Sequence, residues 1–201
     1  MSNAPIIVHV DTSSGAITAI ATSGSDAYYV CGKDDGSVII YDAINGTPIR
    51  KVYTHSVTAS VMRLQWSSSG MYIVSSDESA RIIVKRLEVK AEGQWRVYPV
   101  IDVLVVELVH QFLFNEDEQR LVISTSSTDQ IHDLWTKTQE WKRDWGTRRY
   151  GSWVQSPLGP ASLLWLEHHM LTAYSWSAMS IQITAAINPG QGPGFGDALE
   201  I

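Results

Sequence analysis

The chain has 201 residues, 44% of them hydrophobic, and its 21 acidic and 15 basic side chains give a net charge of −6. This composition excludes a largely disordered chain and disfavours non-specific attraction to nucleic acid or an anionic membrane. The single cysteine, Cys31, excludes an internal disulfide. The most apolar window, residues 97–114, is interrupted by Asp102, Glu107 and His110, so it does not predict a membrane-spanning helix.

Short apolar runs separated by turn residues predict β-strands along most of the chain. A short N-terminal segment, residues 1–15, precedes them. The strands form four successive groups of about four strands each, and these groups occupy residues 16–54, 60–101, 108–143 and 152–186. Residues 187–201 are rich in glycine and proline, and we predict that they form a disordered tail.

A two-residue pattern at the end of the third strand repeats along the chain. Its copies are Tyr41-Asp42, Lys85-Arg86, His132-Asp133 and Tyr174-Ser175, separated by 44, 47 and 42 residues. A period in the low forties without a helical pattern is typical of small sheets repeated around an axis, each of which stacks on its neighbours. We therefore predict an all-β fold of about four four-stranded antiparallel blades.

Two stretches resemble the WD-repeat family, in which a Trp-Asp pair closes the third strand of each blade. They are ITAIATSGSDAYYVCGKDDGSVIIYD, residues 17–42, and VMRLQWSSSGMYIVSSDESARIIVKR, residues 61–86. IVKRL at 83–87 and STSSTD at 124–129 are similar to the WD-repeat regions of large fungal NACHT-type signalling proteins. The resemblance implies degenerate WD-type blades that form an incomplete β-propeller, either open or a fragment of a larger ring.

The resemblance also implies a buried network of a loop histidine, a strand serine or threonine, a turn aspartate and the strand-end tryptophan. His55 precedes the second blade, but Ser79 takes the position of the turn aspartate there and Lys85 that of the aromatic residue. We therefore expect only a partial network. The residues that carry the structural repeat signature are Asp35, Tyr41, Asp42, His55, His132 and Asp133.

The stretch 135–153 mixes aromatic and basic residues. Aromatic rings that stack on bases, beside cations that neutralise phosphates, are what a nucleic-acid surface requires. Strand and interblade packing would use the same residues structurally, and Glu140 and Asp144 dilute the positive charge. In either case the stretch is a candidate contact surface, made of Trp135, Lys137, Trp141, Lys142, Arg143, Trp145, Arg148, Arg149 and Tyr150.

Catalytic, metal and cofactor sites are not predicted. Residues 11–15, DTSSG, resemble one half of an aspartic protease site, but the second copy that such a site needs is absent from the sequence. Glu167, His168 and His169 are consecutive, and adjacent strand residues point to opposite faces. A polar turn accounts for each motif more simply.

These features favour a non-catalytic scaffold for protein–protein interaction within a larger cytoplasmic signalling protein. The alternative is a nucleic-acid contact module that uses residues 135–153. We expect protein partners and no membrane association. We also expect self-association or further blades of the same chain, because terminal blades of an open array would expose apolar faces.

The strand patterns also predict a core. Residues expected to face the interior are Ile20, Tyr29, Val38, Ile40, Leu64, Trp66, Ile73, Ile82, Phe112, Phe114, Leu121, Ile131 and Leu164.

Overall fold

A computed structural model describes residues 15–25, 27–90, 94–145, 152–155, 162–167, 170–175 and 180–186. The chain divides into two compact units, Met1–Asp144 and Trp145–Ile201. The described residues form four separate four-stranded antiparallel sheets. They include no helix long and apolar enough to cross a membrane. The motif at residues 11–14, the pair His168-His169 and the tail at 187–201 lie outside the described residues.

The first unit contains three sheets whose strands follow chain order. The first sheet consists of β1 (Ile17–Thr22), β2 (Tyr28–Lys33), β3 (Ser37–Asp42) and β4 (Pro48–Thr54). The second consists of β5 (Val61–Trp66), β6 (Tyr72–Asp77), β7 (Arg81–Val89) and β8 (Trp95–Leu104). The third consists of β9 (Val109–Phe114), β10 (Arg120–Thr125), β11 (Thr128–Asp133) and β12 (Thr138–Asp144). The predicted all-β fold of four-stranded antiparallel blades is confirmed.

The second unit contains one sheet of the same type. Its strands are β13 (Ser152–Gln155), β14 (Ser162–Glu167), β15 (Met170–Ser175) and β16 (Ser180–Ala186). Trp153 and Tyr174 are buried, and their rings meet edge to face with 6.4 Å between centroids. Tyr174 is the aromatic member of the repeated strand-end pair, so the aromatic position of the repeat is a core position in this sheet as well.

Left-handed turn residues recur at matching places in different sheets. Three pairs occupy equivalent turns: Gly36 and Ala80, Gly46 and Lys137, and Gly70 and Glu118, all with φ between 55° and 79°. The turn shape is therefore kept although glycine is replaced in one member of each pair. Gly36 favours glycine for two reasons. Its φ is positive, and an added Cβ would lie 2.2 Å from the Ser56 carbonyl oxygen.

Two apolar clusters hold the three sheets of the first unit together. The first lies between the first and second sheets and contains Val30, Val38, Ile40, Val61, Trp66, Ile73, Leu87 and Trp95. The second lies between the second and third sheets and contains Tyr72, Val74, Ile82, Val84, Ile101, Val109, Phe112, Leu121, Ile123 and Leu134. The strand β5 contacts β1 and β9, so the second sheet lies between the other two.

Most of the predicted core is confirmed. Eight of the predicted residues are buried: Val38, Ile40, Trp66, Ile73, Ile82, Phe112, Leu121 and Ile131. Tyr29, Leu64, Phe114 and Leu164 are half-buried. The prediction for Ile20 is wrong, since this side chain is 62% exposed. It lies on the edge strand β1, where Ala19 and Ala21 pack against the first cluster and Ile20 alternates to the other face.

A polar contact supplements the apolar packing of the second sheet against the third. Glu118 is buried, and its carboxylate accepts hydrogen bonds from Ser68 Oγ at 2.8 Å, from Ser69 N at 2.7 Å and from Ser69 Oγ. Burial raises the pKa of Glu118, but the hydrogen bonds from Ser69 and its neighbours outweigh burial and hold the pKa below its ordinary value. Glu118 is therefore ionised at neutral pH and links the turns of two sheets.

Candidate protein interaction surface

The connections between sheets gather at one end of the first unit. Antiparallel strands alternate in direction, so the turns after every second strand lie at the same end. This end, referred to below as the loop end, consists of residues 34–36, 55–60, 78–80, 105–108 and 126–127.

Backbone hydrogen bonds tie the segments of the loop end to one another. His55 N donates to Gly36 O at 2.9 Å, and Glu78 N donates to Ser60 O at 3.0 Å. Val105 N donates to Ala80 O at 3.1 Å. These hydrogen bonds hold the segments of the loop end in fixed positions relative to one another.

Large apolar side chains stand in solvent at the loop end. Val57 is 78% exposed, and Val106 and Leu108 are 98% and 50% exposed. Leu104, the last residue of β8, is 72% exposed. The backbone below them is fixed, because Glu107 Oε2 accepts hydrogen bonds from Ser126 Oγ at 2.7 Å and from Ser127 N at 2.9 Å.

A cavity of about 230 Å³ opens beside these residues, between the second and third sheets. One wall is the segment from Val103 to Glu107, and the opposite wall comes from β10, β11 and β12. The residues of that second wall are Thr125, Thr128, Gln130, His132, Gln139 and Lys142. The hydrogen bond from Ser126 is the largest influence on Glu107 and holds the pKa of its carboxyl below the ordinary value, so an anion lines the cavity.

A buried chain of polar groups supports the loop end below the surface. Tyr53 OH lies 2.7 Å from Ser75 Oγ, which lies 2.6 Å from His55 Nε2. His55 Nδ1 lies 3.2 Å from Asp77 Oδ2 without linear hydrogen-bond geometry, so this last contact is mainly electrostatic. Asp77 Oδ1 also accepts hydrogen bonds from the backbone N of Ser79 and Arg81, each at 2.9 Å.

This chain differs from the predicted partial network. Asp77, not Ser79, supplies the turn carboxylate, and the hydroxyl of Tyr53 contacts the strand serine. Lys85, at the expected aromatic position, instead places its ammonium group 5.8 Å from the centroid of the Tyr53 ring. Asp35, the predicted signature residue of the first turn, accepts from Ser37 N at 2.9 Å and Ser37 Oγ at 2.5 Å.

Ser75, His55 and Asp77 are also the three residue types of a hydrolase triad, in the order nucleophile, base and orienting carboxylate. The nucleophile of such a triad must reach a substrate. Ser75 is completely buried, and its Oγ is already in contact with Tyr53 OH. Burial lowers the pKa of His55, although Asp77 opposes this effect, so the ring is neutral at pH 7. The arrangement is a structural brace.

The strand-end aspartates cap turns at the opposite end of the sheets. Asp42 Oδ1 accepts hydrogen bonds from the backbone N of Ile44 at 2.8 Å and Asn45 at 3.0 Å. Asp133 Oδ1 accepts from the backbone N of Trp135 at 2.8 Å and Thr136 at 2.6 Å. The aromatic partners Tyr41 and His132 are buried. In the second sheet Arg86 replaces the aspartate, and β7 continues to Val89.

Comparison with known proteins agrees with this architecture. The family model "WD domain, G-beta repeat" matches residues 5–42 and 46–84. These two segments, which together make up less than half of the chain, are similar to WD repeats. The protein is also similar to eukaryotic translation initiation factor 3 subunit I of Pyricularia oryzae, with 38% identity over 61 residues. The match covers 29% of this chain and 18% of that relative, so it spans less than a fifth of the relative's length.

The two matched segments contain the first sheet and β5, β6 and the start of β7 of the second sheet, and the third and fourth sheets have the same four-stranded antiparallel order. The described sheets are thus consistent with blades of an incomplete WD-type propeller. Among the described residues, no group of three His, Cys, Asp or Glu side chains is placed to hold a metal ion.

The predicted aromatic and basic surface is divided by the structure of β12. Trp141 pairs with Ile131 and Lys142 pairs with Gln130, so the two side chains lie on opposite faces of the third sheet. Trp135 is 78% exposed in the turn before β12, and Lys137 Nζ donates to Pro99 O at 3.0 Å. The nucleic-acid alternative stays a prediction, and this alternation counts against it.

The remaining members of that surface are distributed as follows. Arg143 is exposed and Trp145 is half-buried. Arg148, Arg149 and Tyr150 lie outside the described residues. Sequence reasoning therefore found one strongly exposed aromatic residue, Trp135, but missed the cavity and the apolar side chains at the loop end. A run of apolar residues at 103–106 followed by Glu107 was the available signal.

His132 makes the stability of the third blade depend on pH. Burial lowers its pKa to about 4, and its Nε2 lies 3.1 Å from Gln130 Oε1. The unfolded ring has a pKa near 6.5, so acid protonates the unfolded chain first. The stabilisation is complete above about pH 6.5 and is lost as the pH falls toward 4. We expect a loss of about 2 kcal/mol in unfolding free energy between pH 7 and pH 5 from His132.

Urea denaturation at pH 7, 6 and 5 checks this prediction. The variant His132→Gln cannot titrate and should show a shallower dependence on pH than the natural chain. The lowered pKa of His55 acts in the same direction, so some dependence should remain. Identical slopes for the two proteins would show that His132 is not the group responsible.

Proposed function

We propose that this chain is a non-catalytic scaffold that binds a protein partner at the loop end of its WD-type blades. The observation that supports this most strongly is the group of exposed apolar side chains at Leu104, Val106 and Leu108. Exposed apolar groups on fixed backbone mark contact surfaces, since ordering costs little when the partner binds. WD repeats in general serve as platforms for protein–protein interaction.

Affinity capture with two matched variants tests the proposal. Val106→Asp places a charge at the loop end, whereas Ile44→Asp places one at the opposite end on a side chain that is 80% exposed. Neither change should alter folding, because both side chains stand in solvent. Proteins retained by the natural chain should also be retained by Ile44→Asp and lost from Val106→Asp. The same set of proteins on all three baits would overturn the proposal.

We propose further that the scaffold is part of a larger cytoplasmic signalling protein of the NACHT type. The supporting feature is the similarity of residues 83–87 and 124–129 to WD-repeat regions of such proteins. The reading frame around this segment should then encode a nucleotide-binding region. A transcript that encodes no nucleotide-binding region would contradict the NACHT-type assignment. It would not affect the proposed scaffold role.

The blades would be completed by further blades of the same chain or by a second copy. The reason is that a WD-type ring usually contains more blades than four, and each blade buries apolar faces against two neighbours. Light scattering on the 201-residue chain should show self-association. A stable monomer that melts cooperatively would contradict this part of the proposal.

A further inference from the structure

The cavity between the second and third blades has features that the scaffold proposal does not use. Its volume of about 230 Å³ is below the roughly 300–1,000 Å³ of a typical small-molecule site. A single side chain is therefore a better fit than a cofactor. Leu104 and Val106, which also line it, extend its mouth with exposed apolar surface.

The hydrogen-bonding groups on the β11 wall are incompletely used. Gln130 and His132 are two residues apart on one strand, so they lie on the same face. A carboxamide oxygen can only accept, so the contact between Gln130 Oε1 and His132 Nε2 places the ring proton on Nε2. Gln130 is 93% buried, yet its Nε2 donates to no group in the part of the chain that the structure describes.

The cavity therefore offers both a donor and an acceptor. The donor is Gln130 Nε2, and the acceptor is His132 Nδ1, which carries a lone pair when the proton is on Nε2. A ligand that supplies an oxygen to Gln130 Nε2 forms its hydrogen bond inside a partly enclosed cavity, where a hydrogen bond is stronger than at an open surface.

Charge decides between the ligand classes that could fill this space. Among the lining residues that the structure describes, Glu107 is the one anion and Lys142 the one cation, and Lys142 forms no ion pair with a described residue. Their formal charges cancel. A charged side chain would bring a net charge into the cavity and lose its hydration, whereas a neutral carboxamide brings a donor and an acceptor without that cost.

We propose that this cavity binds the carboxamide side chain of a glutamine or asparagine from a partner polypeptide. The carboxamide oxygen accepts from Gln130 Nε2, and its NH₂ group faces His132 Nδ1 and Glu107. Apolar side chains of the same partner segment lie on Leu104 and Val106. This inference rests on the proposed scaffold function and specifies what its loop end recognises.

Blocked pentapeptides of the form Leu-Ala-Xaa-Ala-Leu test the inference. In an extended peptide the two leucines point to the same side as Xaa, so they can reach the apolar rim while Xaa enters the cavity. Backbone amide shifts of Val105, Thr128 and Gln130 report on binding. The peptide with Gln at Xaa should bind at least about fivefold tighter than those with Glu or Lys. Equal or tighter binding of a charged peptide, or no binding of the Gln peptide, would overturn the inference.

Variants of the protein sharpen the test. Gln130→Leu should abolish the preference for Gln, whereas Gln119→Leu, an exposed glutamine that does not line the cavity, should keep it. If Gln130→Leu fails to fold, Lys142→Met still decides, because Lys142 is exposed. Its removal leaves Glu107 as the only charge among the described lining residues. The affinity of the peptide with Lys at Xaa should therefore rise relative to that of the peptide with Gln. An unchanged ranking would contradict the charge argument.

The peptide experiment is independent of the affinity capture. Loss of peptide selectivity would overturn the carboxamide site and leave the scaffold proposal in place. Failure to retain any partner, with peptide selectivity intact, would overturn the scaffold proposal and leave the cavity as a carboxamide site.

Discussion

Replacing Asp77 with alanine should lower the unfolding free energy by about 2–4 kcal/mol. The side chain is 1% exposed and accepts backbone hydrogen bonds from Ser79 and Arg81 while its second oxygen contacts His55 Nδ1. The variant leaves these donors without their acceptor, and His55 is itself buried too deeply to turn to water. Urea denaturation followed by circular dichroism measures the change.

Asp35→Ala is the matched control for Asp77→Ala. Asp35 also accepts a backbone hydrogen bond in the turn between the second and third strands of its sheet, but its partner is Ser37 and it is only half-buried. We expect this variant to lose about 1 kcal/mol. Equal losses for the two variants would mean that Asp77 acts only as a turn residue and not through His55.

A double-mutant cycle with His55→Ala isolates the contact between the two side chains. If the network acts as a unit, the double variant should lose less stability than the sum of the single variants, by about 1 kcal/mol or more. Strict additivity would show that the 3.2 Å contact between His55 and Asp77 contributes nothing to stability.

The repeat period and the four-stranded antiparallel sheets could be predicted because they depend on local patterns. Apolar alternation and turn residues indicate the strands, and the left-handed positions recur from sheet to sheet. The role of Asp77 was missed because a constant offset of 44 residues pairs Asp35 with Ser79. An aspartate at the strand end followed by Ser79 and Arg81 is the pattern of a side chain that caps its own turn, and that signal was present.

The replacement of the strand-end tryptophan by Tyr53 could not be predicted in the same way. Tyr53 belongs to β4 of the first sheet, whereas Ser75 belongs to β6 of the second. Their contact depends on how one sheet stacks on the next, and no sequence spacing records it. The cavity is hidden for the same reason, since its two walls come from different blades.

Replacing Trp66 with alanine should cost about 3–5 kcal/mol, the largest loss expected for a single side chain of the first apolar cluster. Trp66 is 4% exposed, lies with its ring centroid 6.3 Å from that of Trp95, and donates from Nε1 to Gly70 O at 2.9 Å. Alanine leaves a cavity between the first two blades and removes the hydrogen bond that Trp66 donates to the Gly70 carbonyl. The denaturation midpoint of the whole chain, followed by circular dichroism, measures the loss.

Trp135→Ala is the control that separates burial from the chemistry of tryptophan. Trp135 is 78% exposed in a turn, so its removal should change the unfolding free energy by less than about 0.5 kcal/mol. Trp66→Phe should fall between the two, because it keeps an aromatic ring against Trp95 but cannot donate to Gly70. Equal denaturation midpoints for Trp66→Ala and Trp135→Ala would show that Trp66 is not a core residue. That result would also contradict the packing of the first sheet against the second.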